Sequence, residues 1–109
     1  IYSGDDATAR ELILLGGDGD ISVTANVAPK LMSQMCAAAL AGDAALAAEL
    51  DRKLKALHRD LFVEANPIPV KWAVAELGLQ ENVLRLPMTP LSAEHRERVR
   101  AAMRNAEII

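Results

Sequence analysis

The sequence predicts an α/β fold in which two short parallel strands, joined by one helix, precede four further helices. Residues 1–3 and 21–24 contain β-branched or aromatic side chains and adjoin turns rich in glycine and aspartate, which is typical of strands. After residue 26 no further run of this kind occurs, and apolar residues recur at helical spacing. A strand, a helix and a second strand so close together imply parallel pairing with a right-handed crossover.

The helix between the strands is predicted over residues 7–15. Asp5 or Asp6 can cap it, because an acidic side chain at a helix start accepts backbone N–H groups and lies at the positive end of the helix dipole. Glycine at position 16 ends the helix, and residues 16–19 are expected to form a tight turn into the second strand. This turn resembles a phosphate-binding loop, but such loops follow a strand and open a helix.

Four helices are predicted after the second strand. The alanine-rich residues 30–41 form one, and Asp43 caps the next, which carries a leucine at every third or fourth position: Leu46, Leu50, Leu54, Leu57 and Leu61. Asn66 and Pro67 are the N-cap and first position of a third helix that ends at Gly78. Residues 84–90 are expected to be extended because residues preceding proline avoid the helical region. The last helix starts at Ser92 and has an apolar side formed by Val99, Ala102, Met103 and Ala106.

Composition excludes several kinds of partner. Twelve Lys and Arg against fifteen Asp and Glu give a net charge of −3, so we expect no nucleic-acid partner. The uncharged stretch 31–42 is shorter than the roughly 20 residues needed to cross a bilayer, so we expect no membrane partner. Cys36 has no partner for a disulfide, which favours a buried, inert thiol in a reducing compartment and a cytoplasmic location. His58 and His95 lack metal-ligand spacing and are expected to be structural or solvated, so no metal is predicted.

The chain is expected to be part of a larger protein. It starts at Ile1 without methionine or a signal peptide. A two-stranded parallel sheet is not stable alone, because parallel strands are normally buried on both faces of a larger sheet. The sequence therefore predicts either the tail of an α/β protein or a chain that pairs with strands of a partner.

Five segments resemble the dihydrodipicolinate synthase family, in that family's order and spacing. They are YSGDD at 2–6, GGDGDISVTANV at 16–27, NPIPVKWA at 66–73, ELGL at 76–79 and LRLPMTPL at 84–91. The glycine-rich segment is shared with Schiff-base lyases of the N-acetylneuraminate lyase type, whereas the two proline-containing segments are more specific to the synthases. The resemblance covers essentially the whole chain.

The resemblance implies the last two βα units of a (β/α)8 TIM barrel over residues 1–42 and a helical C-terminal subdomain over residues 43–109. It implies condensation of pyruvate with aspartate 4-semialdehyde, on the route to diaminopimelate and lysine, through a Schiff base on a lysine and with no separate cofactor. That lysine and a proton-relay tyrosine would precede Ile1, so no catalytic residue is expected here and the isolated chain is expected to be inactive. The implied partners are the remainder of the barrel and a homotetramer built as a dimer of dimers.

Three residues are candidates for substrate binding. The resemblance places Ile21 in the wall of the pyruvate pocket, with a purely core role as the alternative. Gly4 follows a strand and can admit substrate close to the backbone. Asp5 is a candidate polar contact at the mouth of the site, with helix capping as the alternative. None of the four lysines is expected to form the Schiff base, and the stem of Lys71 is expected to pack on apolar surface.

Two other functions stay open from the sequence. One is another pyruvate-dependent aldolase or lyase, and the other is a non-catalytic helical oligomerisation module. The run of apolar residues at 12–15 exceeds what one helix can turn toward a barrel, which predicts a subunit contact there.

Overall fold

The computed structural model describes all 109 residues, Ile1–Ile109. In chain order its elements are β1 (Tyr2–Ser3), α1 (Asp6–Leu14), β2 (Gly19–Asp20), a 3-10 helix (Thr24–Asn26), α2 (Pro29–Leu40), α3 (Ala44–Asp60), α4 (Ile68–Glu76) and α5 (Ala93–Asn105). The two strands pair in parallel, with Tyr2 opposite Gly19 and Ser3 opposite Asp20. Parallel pairing of two short strands, the helix between them and the four later helices are therefore confirmed, although the second strand is displaced from its predicted position.

The prediction of a strand over residues 21–24 was wrong. The strand lies earlier, at Gly19–Asp20, and only the amide of Ile21 extends the pairing, by donating to the carbonyl of Ser3 over 2.8 Å. The next amides turn away, because the carboxylate of Asp6 accepts hydrogen bonds from Val23 N at 3.0 Å and Thr24 N at 3.1 Å. A tertiary hydrogen bond thus overrides the β propensity of this segment.

The turn before β2 depends on close packing at Gly17. Its amide donates to the carbonyl of Leu12 at 2.9 Å, and a Cβ atom at position 17 would lie 3.0 Å from that same oxygen. Gly16 and Gly19 have positive φ angles of 110° and 156°. The prediction placed Gly19 in the turn, but it belongs to β2, and a Cβ there would lie 3.2 Å from the Tyr2 ring.

The helix caps follow the sequence in part. Asp43 accepts a hydrogen bond from Leu46 N at 3.1 Å, which confirms the predicted cap of α3. Asp5 occupies the N-cap position of α1, but its carboxylate accepts from the Thr8 hydroxyl at 2.7 Å and caps no backbone amide. At α4 the N-cap is Pro67, one residue later than predicted.

The main core joins α2, α3, α4 and α5. Its fully buried side chains include Met35 of α2 and residues of the leucine stripe of α3 and the apolar side of α5, namely Leu54, Leu57, Leu61, Val99 and Met103. The start of the stripe departs from the prediction, because Leu46 is exposed. A second cluster, formed by Ile13, Ala38, Ala39 and Ala47, fixes α1 to α2 and α3. The division of the chain after residue 42 stays a prediction, since both clusters contain residues from both sides of it.

No helix combines the length and the apolar character that crossing a membrane requires.

Candidate functional site

A groove of about 410 Å³ lies between the segment that follows β2 and the N-terminal half of α4. Ile21, at the end of β2, contributes a side chain that is 73% exposed. The groove is lined by Ile21, Ser22, Val23, Asn26, Asn66, Pro67, Val70, Lys71, Val74 and Gln80. A mixed lining of apolar walls and a few polar groups is typical of small-molecule sites.

The wall formed by residues 21–26 is held from within. Asp6 accepts the amides of Val23 and Thr24. The hydroxyl of Ser22 accepts from Ala25 N at 2.9 Å, and the side-chain amide of Asn26 donates to the carbonyl of Val23 at 3.0 Å. These hydrogen bonds pair backbone N–H and C=O groups of residues 21–26, which leave the sheet. The wall therefore has a defined conformation although it is not a strand.

The opposite wall carries a positive charge. Lys71 is half-buried on α4, and its ammonium donates to the carbonyl of Val83 over 2.7 Å. That bond holds the long side chain along the rim of the groove and ties α4 to the following loop. The packing of the Lys71 stem on apolar surface stays a prediction.

Behind the groove, two carboxyl groups lie against each other between the strand pair and the helices. Asp6 belongs to the first turn of α1 and Asp20 to β2. Burial, together with the neighbouring Asp6, raises the pKa of Asp20 to about 7. Burial opposes ionisation of Asp6, but hydrogen bonds from Asp20, Ser22 and the Thr24 amide outweigh it and lower the pKa of Asp6. One carboxyl of the pair therefore holds a proton under conditions in which the other is ionised.

A series of hydrogen-bonded side chains links the wall formed by residues 21–26 to α3 and α1. Thr24 Oγ1 lies 2.9 Å from His58 Nδ1, and His58 Nε2 lies 3.3 Å from Asp51 Oδ1. Arg10 then donates to Asp51 Oδ2 at 3.1 Å. Burial works against the ionised form of Asp51, but His58 and Arg10 outweigh it and lower the pKa of this carboxyl. The prediction that His58 is structural agrees with this buried, bonded position.

The candidate substrate-binding residues follow the ends of neighbouring strands. Gly4 and Asp5 come directly after β1, Ile21 comes directly after β2, and the hydrogen bond from Ile21 N to Ser3 O joins the two ends. Ile21 lines the groove, whereas Gly4 and Asp5 are exposed and do not line it. The substrate-binding roles of all three stay predictions.

Several residues around the groove were not singled out from the sequence. The lining residue Asn26 ends the 3-10 helix, and Asn66 and Gln80 lie in the segments on either side of α4, so their approach depends on how α4 packs. The pairing of Asp6 with Asp20 could have been anticipated, since side chains alternate across a strand and Asp20 must then face away from Ile21, toward the helices.

The structure contains no group of three or more His, Cys, Asp or Glu side chains that could hold a metal ion. Cys36 is half-buried where burial was predicted, and burial, followed by the charges of Asp20 and Asp6, raises the pKa of its thiol. A raised pKa keeps a thiol protonated and poorly nucleophilic. The lysines are all exposed or half-buried.

Sequence comparison identifies a single family. The model of the "Dihydrodipicolinate synthetase family" matches residues 1–106. The 4-hydroxy-tetrahydrodipicolinate synthase of Methylococcus capsulatus is 62% identical over 109 residues, which are 100% of this chain and 38% of that protein. The synthase of Nitrosospira multiformis is 65% identical over 108 residues, which are 99% of this chain and 36% of that protein.

Solved structures agree. The chloride-inhibited dihydrodipicolinate synthase of Acinetobacter baumannii, complexed with pyruvate, matches with a TM-score of 0.96 and 57% identity over 99% of this chain and 37% of its own. The enzyme of Thermotoga maritima matches with a TM-score of 0.94 and 44% identity over 99% of this chain and 37% of its own. This chain therefore has a part of the TIM-barrel fold of these enzymes and spans somewhat more than a third of their length. The match confirms the resemblance seen in the sequence motifs, and the chain belongs to the dihydrodipicolinate synthetase family.

Proposed function

We propose that these residues form the C-terminal portion of a 4-hydroxy-tetrahydrodipicolinate synthase, a lyase that condenses pyruvate with aspartate 4-semialdehyde for the biosynthesis of diaminopimelate and lysine. In this proposal β1 and β2 are the last two strands of the barrel. The Schiff-base lysine and the relay tyrosine lie outside the chain. The similarity to synthases across the whole chain supports the proposal most directly.

The alternation of the strand residues supports a barrel wall. Tyr2 is 65% exposed and Ile21 is 73% exposed on one face, while Ser3 and Asp20 lie on the opposite face, toward the helices. Side chains alternate in this way when one face of a strand packs on helices and the other faces a barrel interior. Tyr2 and Ile21 would then point into the barrel.

The position of the candidate residues supports a substrate site at the strand ends. TIM-barrel enzymes bind and react at the C-terminal ends of their strands, where the βα loops meet. Gly4, Asp5 and Ile21 all follow such an end in this chain. Gly4 would let substrate approach the backbone, and Asp5 would offer a carboxylate at the mouth of the site.

The contribution proposed for Ile21 is to keep the pyruvate pocket dry. A Schiff base forms only from a neutral amine, and an apolar environment disfavours the ammonium form of lysine. A branched apolar side chain beside the pyruvate methyl group would exclude water from that region. The chain would thus assist the reaction without supplying the nucleophile.

The test uses the complete protein encoded by the gene. Incubation with pyruvate and borohydride should trap a covalent adduct on a lysine outside these 109 residues, detected by mass spectrometry. Turnover with aspartate 4-semialdehyde, but not with N-acetylmannosamine, should follow. Absence of a trapped adduct, or a preference for the sugar, would overturn the proposal, and the second result would favour a lyase of the N-acetylneuraminate type.

Ile21→Ala tests the role of the groove, and Leu40→Ala serves as the control because Leu40 is also exposed but lies at the end of α2. The Ile21 variant should raise the KM for pyruvate and slow the trapping reaction, while the control should match the wild type. Circular dichroism must show that both variants are folded. A folded Ile21 variant with unaltered KM and trapping would remove Ile21 from the site.

A further inference from the structure

Asp6 and Asp20 leave three buried oxygen atoms without a hydrogen-bond partner if both are ionised. Asp6 is only 4% exposed, and its Oδ2 atom already accepts two backbone amides. Its Oδ1 atom and both carboxylate oxygens of Asp20 are inaccessible and have no hydrogen bond of normal geometry, although the hydroxyls of Ser22 and Ser3 lie close enough to favour the ionised forms of Asp6 and Asp20. Buried acceptors without donors are strongly destabilising, so the arrangement requires a donor that two carboxylates cannot supply.

A single proton supplies that donor. If Asp20 is the carboxylic acid, its O–H group can donate to Oδ1 of Asp6, which leaves Asp6 ionised and free to accept the amides of Val23 and Thr24 through Oδ2. Two carboxyl groups in contact do not both ionise readily, because their like charges repel in a poorly solvated site. The shared proton therefore removes the repulsion, provides a donor for Oδ1 of Asp6 and makes one Asp20 oxygen that donor, so only one of the three oxygens is left without a partner.

Few groups around Asp6 and Asp20 could donate a hydrogen bond to the two carboxylates in place of this proton. The hydroxyl of Ser22, in the segment after β2, works to lower the pKa of Asp6, and that of Ser3, in β1, works to lower the pKa of Asp20, but the Ser3 hydroxyl already donates to the carbonyl of Asp5 at 3.0 Å. The titratable side chains that act on the pair from the packed helices are Cys36 of α2 and His58 of α3. His58 is bonded to Thr24 and Asp51, so its ring nitrogens are already used.

We propose that Asp6 and Asp20 share one proton and, as a pair of positioning residues, hold residues 21–26 in the shape that forms the wall of the groove. The effect on substrate rests on the proposed function, whereas the shared proton and the fixed loop do not. When the pair loses its proton, two negative charges face each other beneath the wall, and Asp6 holds the two amides less firmly. The burial that raises the pKa of Asp20 to about 7 places this change near neutral pH.

The first measurement detects the proton itself. Infrared difference spectra of the complete protein between about pH 5.5 and about pH 8.5 should show the carbonyl stretch of a protonated carboxyl that disappears as pH rises. Ordinary Asp and Glu side chains are already ionised throughout this range, so they do not contribute to that band. Asp20→Asn should abolish this band. Asp18→Asn, which changes an exposed carboxyl two residues away, should leave it in place. A band that persists in Asp20→Asn, or that is missing from the wild type, overturns the proposal.

The second measurement reports on the loop. In Asp20→Asn the side-chain amide can donate permanently to Asp6, so deuterium exchange at Val23 and Thr24 should be slower than in the wild type above pH 7 and equal to it below. Dividing the exchange rate in the wild type by the rate in Asp20→Asn at each pH cancels the intrinsic pH dependence of exchange. Asp6→Ala should lose the protection of both amides at all pH values. Equal exchange in the wild type and Asp20→Asn at every pH overturns the proposal, even if Asp6→Ala fails to fold.

The third measurement connects the pair to substrate. The ratio of the wild-type KM for pyruvate to that of Asp20→Asn should be near one below pH 7 and rise by up to about tenfold above it, the equivalent of one charged hydrogen bond. The corresponding kcat ratio should stay constant. A flat KM ratio with a positive infrared and exchange result would refute only the effect on substrate. A protein without pyruvate turnover would refute the proposed function while leaving the first two measurements decisive for the pair.

Discussion

The hydroxyl of Thr24 and the imidazole of His58 form a buried hydrogen bond of 2.9 Å between Oγ1 and Nδ1. Thirty-four residues separate the two along the chain, so this contact joins the wall of the groove to the middle of α3. His58 in turn contacts Asp51, and Arg10 of α1 contacts the same carboxylate. Three elements therefore meet in one polar chain.

Thr24→Val should lower the free energy of unfolding by about 1–3 kcal/mol, because it leaves a buried ring nitrogen of His58 without a partner in an otherwise similar shape. Thr24→Ser retains the hydroxyl and should be less destabilising. Urea denaturation of the complete protein checks both. If valine is tolerated as well as serine, the hydrogen bond contributes nothing to stability.

Asp60 should make the protein sensitive to acid. Burial works against its ionised form, but Arg59 and Arg98, which donate to it at 2.7 and 2.8 Å, outweigh burial and lower its pKa. Because the folded-state pKa is lowered, Asp60 stabilises the fold above the unfolded value of 3.8, and that contribution is lost as the pH falls below it. Asp60→Asn should remove this loss. Unfolding midpoints recorded from neutral pH down to pH 3 should therefore fall more steeply in the wild type than in the variant.

Asp20 should have the opposite effect on the pH dependence of stability. Its folded-state pKa, about 7, lies above the unfolded value of 3.8, so the folded protein binds more protons between these values and its stability falls as pH rises through this range. Asp20→Asn should flatten that part of the profile. Thermal unfolding of both proteins from pH 4 to pH 8 measures the difference, and parallel profiles would contradict the assignment.

Gly17→Ala and Gly4→Ala should separate packing from substrate access. A Cβ at Gly17 would lie 3.0 Å from the carbonyl oxygen of Leu12, whereas a Cβ at Gly4 would meet nothing within 4 Å. We expect Gly17→Ala to destabilise the protein by about 1–3 kcal/mol, the usual effect of overpacking. Gly4→Ala should leave the melting temperature unchanged and raise the KM for pyruvate. An unchanged KM would show that substrate does not approach the backbone at Gly4.

The exposed leucine that follows α1 should mark a subunit contact. Leu15 is 87% exposed, and we propose that it lies in the weaker interface of a homotetramer built as a dimer of dimers. Leu15→Asp should then yield dimers in sedimentation experiments on the complete protein. Leu86→Asp, at a side chain that is 88% exposed in another part of the chain, is the control and should leave the tetramer intact. Tetramers in both variants would refute the assignment.

The elements that could be predicted from the sequence are those whose signals are local. The leucine spacing of α3 and the side chain of Asp43 define that helix without reference to the rest of the molecule, and the structure agrees with both apart from the exposed Leu46. The prediction of a strand over residues 21–24 was wrong because the conformation of this segment depends on Asp6. Asp6 lies 17 residues before Val23 and accepts a hydrogen bond from the Val23 amide. Local propensity contains no information about such a bond.

The same reasoning explains what could be anticipated of the site. Ile21 was singled out because the family resemblance places it in the wall of the pyruvate pocket, and it does line the groove. Asn66, which precedes α4, and Lys71 of α4 complete that groove, and nothing near them in sequence indicates that they approach residues 21–26. The approach results from tertiary packing, because Val70 and Trp72 of α4 belong to the same buried cluster as Val27.

A ribosome releases α3 before α5, so Leu54, Leu57 and Leu61 emerge while Val99 and Met103, buried in the same cluster, are still to be translated. During that interval an apolar ridge on the nascent chain faces water. Such ridges are the surfaces through which incompletely folded chains aggregate. Production of this protein in a cell should accordingly depend on how fast translation proceeds past α3 and on chaperones that cover the ridge until α5 arrives.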